Sequence, residues 1–174
     1  MRKTRIVTMI PLIVLVLVGV GAVGADTGGR TVFTRGDEVL MPNILIRSDL
    51  RFSPGRVGID SGEMMTWVHA DKTLAPHTMT LATPEQLVEN FEDFLFCGEC
   101  AAAIGAALAG HFPPGLPPVP VLDPDGDGEY GTPADSLLIF PGETVSAQIN
   151  SAAGSTLLYF CAIHPWMQGS IEVN

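Results

Sequence analysis

Apolar and polar positions alternate with a period of two, in short runs, over two separate stretches of this 174-residue chain. That is the pattern of strands buried on one face. The first stretch holds runs at residues 43–47, 52–55, 57–59 and 64–69, the last built around Trp67, with breaks at Pro54-Gly55 and Ser61-Gly62. The second holds runs at 136–140, 144–149, 156–160 and 169–173, broken at Pro141-Gly142 and over 150–155. Short strands punctuated by such turns predict an all-β chain folded as an antiparallel β-sandwich or barrel.

The segment between the two stretches has a different character. Thr83-Pro84-Glu85-Gln86 combines an N-cap residue, a proline at the first helical position and a glutamine three residues after the cap. This predicts a helix that starts there and runs through Leu87, Phe91 and Phe94 or Leu95. The alanine-rich residues 101–109 predict a second short helix, and the proline-rich residues 111–120 an extended, polyproline-like connector. Residues 83–135 therefore read as a helical and loop insertion into one β-domain spanning 39–174, a size that suits a single core.

Residues 26–38 are polar and contain glycine, and read as a linker that ends in at most a short edge strand. Ahead of them, Arg2, Lys3 and Arg5 precede an uncharged run over 6–25 that closes on Val23-Gly24-Ala25. Basic residues, an apolar run and small residues before a cleavage point are the signature of an export signal peptide. The run is also near bilayer-spanning length, so an uncleaved N-terminal membrane anchor is the alternative. Both readings place the globular part outside the cytoplasm: secreted, periplasmic or on the outer face of the cytoplasmic membrane.

The formal net charge is -10, and losing Arg2, Lys3 and Arg5 with the signal takes it to -13. Such acidity argues against nucleic acid as a partner, and for solubility or steering toward a basic partner surface. Three cysteines, Cys97, Cys100 and Cys161, are an odd number for an exported chain. One disulfide plus one functional thiol is the simplest account, with Cys161 the odd one out.

The candidate chemistry lies at Cys161-Ala162-Ile163-His164-Pro165-Trp166-Met167, where a thiolate, an imidazole and a thioether share one tight loop between two strands. Two imidazoles and a thiolate in a plane, with a weak axial thioether, are the donor set of a mononuclear copper electron-transfer site. His77 is the best candidate for the second imidazole; His69, beyond the turn over 70–76, is its rival.

The segments Pro76-His77-Thr78 and Tyr159-Phe160-Cys161-Ala162-Ile163-His164-Pro165-Trp166-Met167-Gln168-Gly169 resemble the two copper motifs of the cupredoxins, the type 1 blue copper family of plastocyanin and azurin. The compact loop, with proline after its histidine, is similar to that of amicyanin. The resemblance covers about residues 43–81 and 136–174. It implies a Greek-key β-sandwich with one type 1 copper ion bound by His77, Cys161, His164 and Met167, and no enzymatic turnover. It further implies a one-electron carrier serving a redox protein such as a cytochrome, oxidase or dehydrogenase; a copper trafficking or storage module is the alternative. Thr78 stands where many members have the asparagine that braces the thiolate loop, and the long separation between His77 and Cys161 reflects the insertion, on which the resemblance is silent.

Within the insertion, Cys97 and Cys100 read as a structural disulfide, with an accessory metal site using both thiols and His111 as a rival. Asp123, Asp125 and Asp127, followed by Gly128, place oxygens at alternate positions as a calcium loop does, but Ala134 occupies the place of the closing glutamate and Asp135 falls one place late.

Overall fold

The computed structural model describes residues 30–174 apart from Phe91. The predicted signal or anchor over 1–25 lies outside the described residues, and among these no helix is long and apolar enough to cross a membrane. The described residues form twelve strands: β1 (Thr31–Arg35), β2 (Glu38–Met41), β3 (Leu45–Ser48), β4 (Arg51–Ser53), β5 (Arg56–Ile59), β6 (Glu63–Val68), β7 (His77–Ala82), β8 (Val121–Leu122), β9 (Ser136–Ile139), β10 (Thr144–Ile149), β11 (Thr156–Phe160) and β12 (Gln168–Val173). Helices α1 (Asp93–Phe96) and α2 (Gly98–His111) and a 3-10 turn at Pro84–Gln86 all fall in the insertion.

The strands make two main sheets, ordered β10-β6-β1-β4 and β5-β12-β11-β7-β9-β8, while β2 and β3 form a separate ribbon. Pairing is antiparallel except for β1 with β6 and β12 with β5, which run parallel. The chain changes sheets at Pro54-Gly55, between β4 and β5, the bend by which sandwich strands turn a corner. Alternate residues of the two sheets meet in one core: Val32, Phe52, Met65 and Trp67 from one, Met79, Leu81, Tyr159 and Ile171 from the other. Trp67 and Phe52 both pack against Tyr159, with ring centroids 6.0 and 4.9 Å apart.

Two expectations are corrected. The stretch read as a linker contains β1, an interior strand between β6 and β4, because Val32 and Thr34 point inward and only Thr31, Phe33 and Arg35 keep their polar or half-exposed side out. The first insertion helix does not run on from Pro84. The capping box of Thr83 and Gln86 forms, but it caps a single 3-10 turn, and Leu87 is already extended.

The insertion covers the outer face of the second sheet, which explains β7. Its sequence alternates hydroxyl and apolar residues, yet all six residues from His77 to Ala82 are buried. Met79 and Leu81 fill the inter-sheet core. Ala82 lies with Ala107, Phe160 and Ala162 in a second apolar cluster, against which Leu87, Ala103, Ile104 and Leu108 pack. Small residues let α2 approach closely: a Cβ on Gly110 would stand 2.7 Å from Leu122. A strand that would otherwise show one face to water is thus buried on both.

Candidate metal centre

The register of β7 on β11 builds the site. Phe160 pairs with Thr80, so one and two residues beyond the end of β11 the chain brings Cys161 and Ala162 alongside Met79 and Thr78. The loop that follows closes on itself, with Cys161 N–H donating to Met167 O (3.0 Å) and Met167 N–H to His164 O (2.8 Å). His164 is thereby turned back over Cys161. Gln168 ties the loop down by donating to Pro165 O and, across to the insertion, to Val88 O at 2.7 Å.

Three donor atoms converge. Cys161 Sγ lies 3.6 Å from His77 Nδ1 and 3.8 Å from His164 Nδ1, and the two nitrogens are 3.2 Å apart. A point equidistant from all three lies about 2.1 Å from each, within the span of metal–imidazole and metal–thiolate bonds, about 2.0–2.3 Å. All three residues are buried, as is Met167, whose side chain shares the core cluster with Cys161. Cys161 is the free thiol.

The surroundings set the protonation states that ligation needs. His77 Nε2–H donates to Asp71 Oδ2 at 2.8 Å, in a pair whose side chains are both fully buried. This fixes the tautomer and leaves the Nδ1 lone pair facing Cys161, the carboxylate–histidine arrangement that supports metal ligands. Desolvation pushes His77 down to about 4 despite the opposing pull of Asp71, so the ring is neutral near pH 7. Burial pushes the Asp71 carboxyl up, but hydrogen bonds from Thr34 and Thr73 more than offset this and hold it at about 2. Burial lowers His164 as well and raises the Cys161 thiol. A cation between the three atoms takes the bare Nδ1 of His77 and the sulfur of Cys161 together, the thiol releasing its proton as the ion binds.

Thr78 takes the bracing role in two ways. Its N–H donates to Cys161 Sγ (3.3 Å), and its hydroxyl accepts from Ala162 N–H (2.7 Å). His69 is not part of the cluster with Cys161: its Nε2 bonds Ala75 O at 3.0 Å, and its Nδ1 lies 3.8 Å from Asp71 Oδ2. His164 does not present an open ring edge. It is 4% exposed, with Glu38 Oε2 of the β2–β3 ribbon 3.8 Å from Nε2 and Trp166 packed edge-on at 5.5 Å, itself 45% exposed.

Cys97, the N-cap of α2, forms a disulfide with Cys100 in the first turn of that helix. His111 is buried elsewhere, bonded to Val119 O (2.6 Å) and Ser136 Oγ (2.7 Å), which rules out the accessory site that would combine it with the two thiols. In the acidic loop, Asp127 accepts from Glu129 N–H, and the carboxylates that converge are Asp123, Asp125 and Asp135. Sequence reasoning missed Asp71. Asp71 lies six positions before His77 and carries no motif of its own.

The donor set defines a mononuclear centre of two imidazoles and a thiolate at one end of a β-sandwich, and the His77, Cys161, His164 and Met167 cluster fits a type 1 copper site. Solved structures similar to the chain include cupredoxins and a copper-containing nitrite reductase of Thermus scotoductus. Among the cupredoxins is the purple cupredoxin of Nitrosopumilus maritimus, at 13% identity over 83% of this chain and 98% of that one with a TM-score of 0.44. Auracyanin A, a "blue" copper protein of Chloroflexus aurantiacus, matches at 19% identity over 83% and 98%, with a TM-score of 0.44. Amicyanin of Paracoccus versutus matches at 14% identity over 86% and 85%, with a TM-score of 0.40. No protein-family model matches the sequence, and no curated protein matches it.

Proposed function

We propose that the chain is an extracytoplasmic blue copper protein that carries one electron at a time between redox proteins, with copper held by His77, Cys161 and His164 and by Met167 as a weak fourth ligand. The observation that carries this is the triangle of two imidazole nitrogens and one thiol sulfur, buried and already spaced to take an ion. Copper in such a set supplies a one-electron couple whose two states accept the same ligands.

The chain's part is to hold those ligands still. Asp71 orients His77, Thr78 holds the loop through Ala162, and Gln168 anchors the loop to Val88. Burial excludes water from the thiol and both rings. Little can then rearrange when the charge changes, which is what favours rapid electron exchange. His164 and the half-exposed Trp166 beside it are the shortest route from the cluster to the surface, so a redox protein would dock there. Histidines for a further catalytic copper are lacking: the chain has four, and His69 and His111 bond backbone carbonyls. The disulfide supports an oxidising compartment.

The test is the absorption and EPR spectrum of the Cu(II)-loaded protein. An intense visible thiolate-to-copper charge-transfer band is expected, and Cys161→Ser abolishes it. A colourless Cu(II) form of the intact protein overturns the assignment, and slow electron self-exchange in a coloured form points instead to copper storage or transfer.

A further inference from the structure

We propose that the loop between β8 and β9 is a calcium site, closed by Asp135 rather than by a residue of the Asp-rich run itself. Carboxylate oxygens of Asp123, Asp125 and Asp135 lie within 4.8 Å of one another. Acidic residues crowd on many surfaces, so convergence alone decides nothing. The deciding feature is Asp135. It is 1% exposed, and one of its oxygens, Oδ1, has no hydrogen-bond partner among the described residues. The other, Oδ2, already accepts from Gly131 N–H (2.9 Å) and Thr132 N–H (2.7 Å). A buried carboxylate oxygen left bare is costly unless a cation takes it.

Among the described residues no cationic side chain pairs with Asp123, Asp125 or Asp135. The chain contains neither lysine nor arginine after Lys72, so residues 73–174 have no cationic side chain near pH 7 to offer three converging carboxylates. The remaining geometry favours a hard ion with oxygen ligands. Asp125 Oδ2 accepts from the Thr132 hydroxyl (2.9 Å), which also lies 3.2 Å from Asp135 Oδ2, so a third kind of oxygen sits between the two carboxylates. Asp123 folds the run into a compact turn by accepting from Gly126 and Gly128 N–H, both 2.8 Å. Three carboxylates on a loop of flexible radius suit Ca²⁺, which takes six to eight oxygens, better than Mg²⁺, which demands a tight octahedron.

The position gives the ion something to do. Leu81 N–H donates to Asp135 O (2.8 Å) and Ala134 N–H to Leu81 O (2.9 Å), so the residue that closes the site also fastens the loop to β7, the strand that carries His77. Calcium would tie the insertion's last loop to the sheet beneath the copper site. The inference does not depend on the copper reading, because none of its ligands belongs to the His77–Cys161–His164 cluster.

The test is thermal denaturation of the full chain, copper-free and copper-loaded, against CaCl2 and MgCl2, with Tb³⁺ emission sensitised through the buried Tyr130 as a direct binding readout. CaCl2 is expected to raise Tm saturably, with half-effect between about 10⁻⁵ and 10⁻³ M as for sensor and extracellular sites. Equal MgCl2 gives a smaller shift, and Ca²⁺ displaces Tb³⁺. Asp135→Asn is expected to weaken Ca²⁺ binding at least tenfold; because that residue is buried, Asp125→Asn, at an exposed position, provides a second variant with the same expected loss. Absence of any Ca²⁺-dependent shift up to about 5 mM overturns the proposal. So does a shift that Asp125→Asn and Asp135→Asn both leave unchanged, since that is diffuse attraction to an acidic surface.

Discussion

Ala162 N–H donates to the Thr78 hydroxyl across 2.7 Å, joining the residue after the candidate thiolate to the residue after the candidate first histidine, 84 positions away. The bond is the first link of a buried chain. Thr78 Oγ1 lies 3.0 Å from Thr80 Oγ1, Thr80 Oγ1 2.7 Å from Ser136 Oγ, and Ser136 Oγ 2.7 Å from His111 Nε2. Val119 O can only accept, so His111 carries its proton on Nδ1, and every hydroxyl upstream must donate toward His111. The insertion is therefore bonded through the sheet to the copper loop.

Breaking that chain at Thr78 strands the buried Ala162 N–H, at a cost of about 1–3 kcal/mol, and takes from Thr80 Oγ1 one of its two partners. Thr78→Val is expected to lower Tm by about 5–10 °C. Thr78→Ser, which restores the hydroxyl, recovers most of the loss. Thermal unfolding of both variants followed by circular dichroism checks this; a Thr78→Val protein as stable as the parent excludes a structural role for the chain.

Asp71 places a full negative charge one hydrogen bond from the ring of His77. A nearby anion stabilises Cu(II) over Cu(I), so Asp71→Asn, which keeps an acceptor but removes the charge, is expected to raise the reduction potential. It should also weaken copper binding about 10–100-fold, the usual cost of losing a ligand's supporting partner. Redox titration of the visible band, with competition against a chelator of known affinity, measures both.

Acid is expected to destabilise the copper-free protein. His77, His164 and His111 all have lowered folded-state pKa values, with burial the largest cause in each. Below about 6.5 the unfolded chain takes up protons at these rings while the folded chain does not, so stability falls with pH through the interval between about 6.5 and the lowered values. His77 marks the lower end, at about 4. Tm of the copper-free protein should drop by about 5–10 °C from pH 7.5 to pH 5, a Tm that rises over that interval having the wrong sign.

Gly169 faces Tyr159 across the β11–β12 pair, and the tyrosine ring lies over it. A Cβ at Gly169 would overlap the Tyr159 ring at Cζ, so the ring at the centre of the core would have to move. Gly169→Ala is expected to cost about 1–3 kcal/mol by overpacking. Urea denaturation at constant m reads the loss directly.

Much of the local structure was legible in the chain itself. The strands from Ser136 to Val173 fall where alternation and Pro-Gly or Asn-Ser breaks put them, and the Cys161–Met167 loop closes through bonds between residues three and six apart. The disulfide followed from cysteine arithmetic. Spacing could not show that β1 is interior, since only five residues carry it and their neighbours are polar. Nor could it show that the capping box at Thr83 starts just one turn; a cap favours a helix without sustaining one.

The sequence determined the donors on one loop, the strand rhythm and the place of the insertion, because each depends on residues within a few positions of one another. The tertiary structure decided everything that depends on register between distant strands. Pairing Phe160 with Thr80 is what sets His77, and not His69, against Cys161, and what puts Thr78 under Ala162. Burial then gave two carboxylates their chemistry: Asp71 became the partner of His77, and Asp135 replaced Asp127 in the acidic cluster. A carboxylate's meaning comes from what desolvates it and what it faces, and neither is written in the residues beside it.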